Sequence, residues 1–244
     1  MDFLERAMGL LEAVVRDRGE RPLTDIAATM GLPLATAHRL AQQLTQARWL
    51  VRSRRGYYHA GPRLAALQPG LDKPVIAAGV ARPMLERLAR RYGCTAHLGR
   101  FDQDMVTYLL KVGVNSDDLF TKEAMQQEAY CSGLGKVLLA GLRKDRLDTY
   151  LEAGPFIRLT PNTIVSEDDL LEEVSLSRGR GYAIDNRETS DEIFCVAVPV
   201  KDRAGEVFAA ISLSFTNSDL EPAGCQAHIR SLRQAAEYIH SCIG

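Results

Sequence analysis

Two short helical patterns separated by Gly31-Leu32-Pro33 constrain this chain more than any other feature. In the first pattern Ile26, Ala27 and Met30 form an apolar face, and Thr24 stands where a side chain would cap the helix. The glycine supplies a turn, and the proline favours the first turn of the helix that follows. Two helices around a tight glycine-containing turn predict a helix-turn-helix.

The second helical pattern has an apolar side and a polar side. Leu40 and Ala41, with Ala37 and Leu44, recur at helical spacing and are expected to face a core. The polar side carries side-chain types that read base edges in DNA. The DNA contacts predicted for the helix pair are Thr24, Thr36, His38, Arg39, Gln42 and Gln43.

A basic hairpin follows the second helix. Residues 49–51 and 57–59 have the pattern of two short strands, and Arg52, Arg54 and Arg55 lie between them. A basic hairpin directly after such a helix is typical of the wing of a winged helix, which contacts phosphates or a minor groove. The alternative is an ordinary hairpin with solvated arginines.

Charge is divided unevenly along the chain. Residues 1–70 hold ten arginines and no lysine against six acidic residues, a formal charge of +4. The rest carries −5, so the net charge of −1 conceals a basic head on an acidic body. Only the head has the electrostatic signature of a nucleic-acid-binding domain.

The length and composition predict two domains. A chain of 244 residues that is 46% hydrophobic can bury two cores. Turn-forming residues at 68–74 mark the break, so we expect a winged head at 1–62, a linker helix region at 63–76 and a body at 77–244. No apolar run is long enough to span a membrane, and the N-terminus has an amphipathic pattern unlike a signal peptide. We therefore expect a cytoplasmic protein with no membrane partner.

In the body, β-type runs alternate with helical patterns. Residues 94–101 and 104–112 form one hairpin pattern, and 193–201 with 206–215 form another. Helical patterns lie between them, one capped by Ser166, and a last one runs from about residue 226 to 243. Hairpins around helices predict an α+β body built on an antiparallel sheet.

The second hairpin allows a prediction of register. A four-residue turn at 202–205 pairs Lys201 with Glu206 and places Cys195 opposite Ser212. Cys195, Ser212 and Ser214 then share a small polar face, which is either solvated or lines a pocket. The opposite face is expected to be core and comprises Phe194, Val196, Val198, Val200, Val207, Ala209, Ile211 and Leu213.

Patterns typical of catalytic or metal sites are weak. Five cysteines without a Cys-x-x-Cys motif indicate neither a disulfide framework nor a thiolate zinc site. Cys94 and His97 would face opposite sides of a strand, so we expect one buried and one exposed side chain rather than half a metal site. Residues 132–136 match neither a phosphate-binding loop nor the Ser-x-x-Lys motif. We expect no metal, no cofactor and no catalytic residue.

These segments together resemble the IclR-type transcriptional regulators over essentially the whole chain. LTDIAATMGLPLATAHRLAQQL, the aromatic-rich hairpin and GPRLAAL are similar to the DNA-binding domain of that family. GYAIDNRETSDEIFCVAVPV follows the family signature, and CSGLGKVLLA matches its small-residue helix start. Leu34-Ala35 departs from the polar or basic residues that relatives often carry there.

The resemblance implies a GAF-like effector domain that binds a small organic acid, in a dimer or dimer of dimers that reads a roughly palindromic operator and commonly represses. Leu4, Leu11 and Val15 of the first helix are expected to be available for pairing between protomers. An enzyme, or a thiol or metal sensor acting through Cys131 or Cys195, stays open as the alternative. By resemblance, the effector contacts are Gly133, Leu134, Asp185, Ile193, Cys195, Ser212 and Ser214.

Overall fold

The computed structural model describes residues 2–113, 119–216 and 219–243. The chain divides into two units, Met1–Asp72 and Lys73–Gly244, hereafter the head and the body. The division falls inside the segment 63–76 that the sequence assigns to a linker.

The head combines a helix-turn-helix with a two-stranded wing, as predicted. Apolar side chains of the first three helices and of the first strand, among them Leu10, Ile26, Leu40 and Leu50, form one buried cluster. The two strands pair antiparallel, with Val51 opposite His59. The elements are α1 (Phe3–Asp17), α2 (Leu23–Thr29), α3 (Leu34–Gln46), β1 (Leu50–Arg54), β2 (Tyr57–Ala60) and α4 (Pro62–Leu67).

Two expectations for the head are wrong. Pro22, not Thr24, is the N-cap of α2, and the Thr24 hydroxyl instead donates to the Asp25 carboxylate at 3.0 Å. Leu11 is only 6% exposed because it belongs to the stripe of α1 that packs into the head core, so it is not available for pairing. Leu4 and Val15 are exposed.

The body is an α+β unit on one antiparallel sheet, as predicted, in the strand order β5-β4-β3-β8-β7-β6. Helices α5 and α9 pack on one face of the sheet, and α6 and α8 lie over the other, with α7 against α8. The strands are β3 (Thr95–Asp102), β4 (Met105–Gly113), β5 (Gln126–Glu128), β6 (Ala183–Asn186), β7 (Ile193–Lys201) and β8 (Val207–Thr216). The helices are α5 (Lys73–Tyr92), α6 (Gly133–Gly141), α7 (Lys144–Glu152), α8 (Glu167–Arg180) and α9 (Gln226–Ile243).

The predicted register of the β7–β8 hairpin is wrong by two residues. Cys195 pairs with Ser214, and Ser212 pairs with Ala197. Lys201 pairs with Val207 rather than Glu206, and the register shifts again between Val200 and Lys201. The pairing differs from the prediction by one residue at the turn and by one more between Val200 and Lys201. Because the total difference of two residues is even, the side chains beyond the second shift lie on the predicted faces of the sheet. Val207, between the two shifts, is the exception and packs on the opposite face against the cluster under α6.

Cys94 and His97 face opposite sides of the sheet, but neither is exposed. Cys94 is 6% exposed and lies in the cluster covered by α5 and α9. His97 is 2% exposed on the other face. Helices cover both faces of this sheet, so the expectation of one exposed side chain is wrong. No described helix is long and apolar enough to cross a membrane.

Candidate nucleic-acid interface and effector cavity

From Thr36 onward, one side of helix α3 presents a polar surface. Its buried residues are Ala37, Leu40 and Ala41, which fix the opposite side of the helix toward solvent. In helix-turn-helix proteins the second helix enters the major groove and its exposed side chains contact base edges. Of the five DNA contacts predicted on α3, Thr36 is half-buried and the other four are exposed. The exposed residues are His38, Arg39, Gln42 and Gln43.

The arginines of the wing are exposed as well. Arg52 and Arg54 lie on β1 rather than in a turn, and Arg55 lies in the tight turn that joins β1 to β2. The Arg54 guanidinium lies 3.7 Å from the centre of the Tyr57 ring, which holds it in place without neutralising its charge. The wing therefore carries three positive charges on a short hairpin.

The body holds a small cavity, partly open to solvent, between the sheet and α6. All seven residues predicted by resemblance to contact an effector line this cavity. That they bind a ligand stays a prediction. The sequence did not identify the other lining residues, which are His97, Tyr108, Leu119, Phe120, Thr121, Gln127, Ser132 and Thr189.

The first turn of α6 opens onto the cavity. Ser132 caps the helix, and its hydroxyl accepts from the Gly135 N–H at 3.1 Å. The N–H groups of Gly133 and Leu134, at the first two helical positions, have no intrahelical acceptor. Backbone N–H groups at a helix N-terminus favour a bound anion. This end of the cavity is therefore suited to a carboxylate.

A chain of neutral polar groups crosses the sheet side of the cavity. The His97 ring contacts the Ser214 hydroxyl at 3.3 Å through Nδ1 and the Thr121 hydroxyl at 3.0 Å through Nε2. The Cys195 thiol donates to Ser214 at 3.0 Å. Burial, with Lys111 nearby, lowers the pKa of His97 to about 3, so the imidazole is neutral. These groups can exchange hydrogen bonds with ligand oxygens without adding charge.

The thiols of this region are protonated. Burial, reinforced by the Asp185 charge, raises the pKa of Cys195 well above its ordinary value. The same two causes raise the pKa of Cys131 to about 12. A reactive cysteine needs a lowered pKa. Both environments therefore disfavour a thiolate nucleophile or redox sensor, and no cluster of described His, Cys, Asp and Glu side chains could hold a metal ion.

Asp185 is 1% exposed and shapes the turn between β6 and β7. Its Oδ1 accepts from the N–H groups of Glu188 at 2.7 Å and Thr189 at 3.4 Å, and its Oδ2 accepts from the Thr189 hydroxyl at 2.9 Å. Burial raises the pKa of Asp185 to about 6 against these hydrogen bonds and the charge of Lys136. Asp185 thus caps a turn and lines the cavity at once.

Lys136 ties α6 to that turn. It is 1% exposed, and its ammonium donates to Glu188 Oε1 at 2.5 Å. Glu173 of α8 lies 3.5 Å from the same ammonium and also pairs with Arg180 at 2.7 Å. A fully buried lysine needs such partners because an unpaired buried charge is strongly unfavourable. The Gly-Lys pair of the sequence is therefore a structural anchor of the cavity wall.

Comparisons with known proteins agree with this architecture. A family model described as the bacterial transcriptional regulator IclR C-terminal domain matches residues 73–241, and the IclR helix-turn-helix domain model matches residues 3–54. The HTH-type transcriptional regulator XynR of Escherichia coli (strain K12) is 29% identical over 243 residues, covering 99% of this chain and 96% of XynR. The HTH-type transcriptional repressor AllR of Salmonella paratyphi A (strain ATCC 9150 / SARB42) is 28% identical, covering 99% of this chain and 89% of AllR.

A solved structure extends the agreement to the whole fold. The crystal structure of the Thermotoga maritima IclR superposes with a TM-score of 0.66 at 26% identity, covering 99% of this chain and 98% of that one. The two family models together span most of the head and nearly all of the body. The chain therefore belongs to the IclR family of bacterial transcriptional regulators, and its head is the DNA-binding helix-turn-helix of that family.

Proposed function

We propose that this regulator reads a roughly palindromic operator through α3 and the wing, and that a small organic acid bound in the cavity of the body controls its hold on DNA. The observation that carries the effector part of the proposal is the cavity, which is lined both by the first turn of α6 and by neutral hydroxyl and imidazole groups. AllR, which is named a repressor, favours repression as the mode of control.

In the head, Arg39, Gln42 and Gln43 read bases and the wing positions the head. Arginine and glutamine side chains form bidentate hydrogen bonds with guanine and adenine edges in the major groove. Arg52, Arg54 and Arg55 contact the phosphates or the minor groove. Contacts with phosphate set register and affinity, whereas contacts with base edges set sequence preference.

The test of the head is a titration with operator DNA, selected from a random library by the full-length protein. Arg39→Ala should weaken binding by about 1–3 kcal/mol and relax preference at one base pair. Arg230→Ala is the matched control, since it removes an exposed arginine from α9 in the body. Equal losses of DNA affinity in both variants would mean that Arg39 contributes only its positive charge and does not contact a base.

A dimer is required to read a palindrome, because each protomer contacts one half-site. The first helix offers an apolar surface of exposed large side chains that a soluble head would otherwise leave in water. Leu4→Asp should shift the protein toward the monomer in light-scattering measurements. The exposed apolar side chains of α1 are Phe3, Leu4, Met8 and Val15.

The effector carboxylate binds the N–H groups of Gly133 and Leu134, and the other oxygen atoms of the effector contact Ser212 and Ser214. Asp185 accepts a hydrogen bond from an effector that carries a hydroxyl group. Ile193 forms the apolar wall. A ligand that binds only the folded body raises its melting temperature. A thermal-shift screen of small and aromatic carboxylates therefore identifies the acid, and Ser214→Ala should lose the shift.

Ser241→Ala, an exposed serine on α9, is the control for that screen. No shift with any acid would remove the effector proposal and leave the DNA-binding head intact. A regulator returns the acid unchanged, whereas the enzyme alternative predicts that the acid is consumed and that Cys195→Ala stops its consumption. Product analysis after prolonged incubation separates the two.

A further inference from the structure

A buried cluster behind the cavity holds more acidic than basic groups. Lys136 pairs with Glu188 Oε1 at 2.5 Å, while Glu173 is balanced by Arg180 at 2.7 Å. Asp185 lies in the same turn as Glu188, and both are almost fully buried. Lys136 therefore balances one of the two carboxylates Asp185 and Glu188, and one negative charge is left over.

The two carboxylate oxygens of Glu188 have different surroundings. Oε1 accepts from Lys136 and from the N–H of Asn186 at 3.3 Å. Oε2 is buried and has no hydrogen-bond partner among the described residues. A buried acceptor without a donor is unfavourable, and most so when it is charged. Protonation of Oε2 removes that charge.

The cavity offers no side-chain cation to a carboxylate. Within the described ranges, no lysine or arginine lines it. An incoming carboxylate at the first turn of α6 therefore adds a second excess negative charge to this buried region. Added negative charge favours the protonated form of neighbouring acids.

We propose that Glu188 takes up one proton from solvent when a carboxylate effector binds, so that affinity for the effector falls as pH rises. The proton forms an O–H bond at Oε2, and no other bond changes. Glu188 does not line the cavity and acts through Asp185, whose carboxylate accepts the Glu188 N–H at 2.7 Å. It is a positioning residue, and the inference rests on the proposed acid effector.

A comparison of the neighbouring titratable groups indicates that Glu188 accepts that proton. Burial and the nearby Asp185 raise the pKa of Glu188 to about 7 against the opposing effect of Lys136. Asp185 competes, but three hydrogen bonds to its carboxylate favour its charged form. The nearby Arg187 pairs with Glu221 at 3.6 Å. Four further titratable groups in or beside the cavity stay neutral near pH 7, and these are His97, Cys131, Cys195 and Tyr108.

The test is calorimetric titration of the full-length chain with pyruvate and with benzoate. In wild type the dissociation constant should rise about tenfold between about pH 6 and about pH 8. At about pH 8 the binding enthalpy should depend on the ionisation enthalpy of the buffer, with close to one proton taken up per ligand. This wild-type measurement needs no variant.

Glu188→Gln carries a permanently neutral side chain at the same place. It should bind at about pH 8 as wild type binds at about pH 6, with no proton uptake. Glu192→Gln makes the same change at an exposed position of the same connection and should keep the wild-type pH dependence. A merely structural role for Glu188 predicts weaker binding at every pH instead.

The outcomes are distinct. Wild-type affinity that is independent of pH, or proton uptake that persists in Glu188→Gln, overturns the assignment. Failure of both acids, and of the wider carboxylate panel, to bind at any pH overturns the acid effector itself and this inference with it. Proton uptake that is present in wild type and Glu192→Gln but absent in Glu188→Gln supports it.

Discussion

Alanine substitutions at two glycines of α6 distinguish the role of its first turn in folding from its proposed role in binding. A Cβ at Gly135 would lie 2.1 Å from the Ala129 carbonyl oxygen and 2.4 Å from its Cα. A Cβ at Gly133 would lie 3.5 Å from the Cys195 Cβ and 3.6 Å from the Ala197 Cβ, which are ordinary contacts. The same substitution therefore has opposite consequences two residues apart.

Gly135→Ala should destabilise the body strongly. A methyl group that meets backbone must displace α6 or the segment before it, and such overpacking costs about 3 kcal/mol or more. For a chain of this size that lowers the melting temperature by about 6–12 °C. Differential scanning fluorimetry of the full-length protein measures the shift.

Gly133→Ala should leave the fold intact and block the ligand. Alanine is a better helix former than glycine by at most about 1 kcal/mol, so the melting temperature should change by only a few degrees. The methyl group fills the space between α6 and β7 where we place the carboxylate, so the acid that wild type binds should bind about tenfold more weakly or not at all. Calorimetry measures the loss.

The two glycine variants test the reasoning because Gly135→Ala should change only stability and Gly133→Ala should change only binding of the acid. A Gly135→Ala protein that melts within about 2 °C of wild type would show that the close approach to Ala129 does not hold α6 in place. A Gly133→Ala protein that binds the acid as wild type does would show that the carboxylate does not contact this turn.

Three further predictions follow from buried charge, titration and surface charge. Lys136→Met should cost about 3–5 kcal/mol in urea denaturation because it leaves Glu188 buried and unpaired, and Lys136→Met with Glu188→Leu should recover much of that loss. His97 has a folded pKa of about 3, below its unfolded value, so it contributes stability above about pH 6.5 that is lost on acidification. His97→Gln should therefore lose less stability than wild type between about pH 7 and about pH 5. Arg54→Ala should weaken binding to all DNA sequences alike and reduce the salt slope of binding by about one in fluorescence anisotropy.

Local signals in the sequence were sufficient for most of the elements. The cap at Ser166 is present, with the Asp169 N–H donating to its hydroxyl at 3.1 Å, and Gly181 ends the same helix in the left-handed conformation. The last helix was predicted at about 226–243 and runs from Gln226 to Ile243. Caps, glycine stops and apolar periodicity act within a few residues, so they can be read without knowledge of the tertiary fold.

Pairing between distant strands could not be read in the same way. His97 pairs with Ser212 across the β3–β8 interface, and that contact depends on two segments more than a hundred residues apart. The strand pattern alone gave the face on which His97 lies but not what covers it. The short strands β5 and β6 lacked a pattern of their own, and β5 brings Gln127 to the cavity.

Asp185 both caps a turn and lines the cavity, and the two properties are linked. A carboxylate that caps a turn of this cavity must be buried, and burial is also what raises its pKa toward neutrality. The same hydrogen bond that shapes the turn, from the Glu188 N–H, links Asp185 to the Lys136 pair on α6. The ligand that we propose at the first turn of α6 would therefore contact a helix that is already tied to this turn and to a buried charge pair. A change in the charge of the cavity would then alter the hydrogen bonds and the ion pair that hold α6 against the turn after β6. A solvated acidic residue in the position of Asp185 would not have this effect.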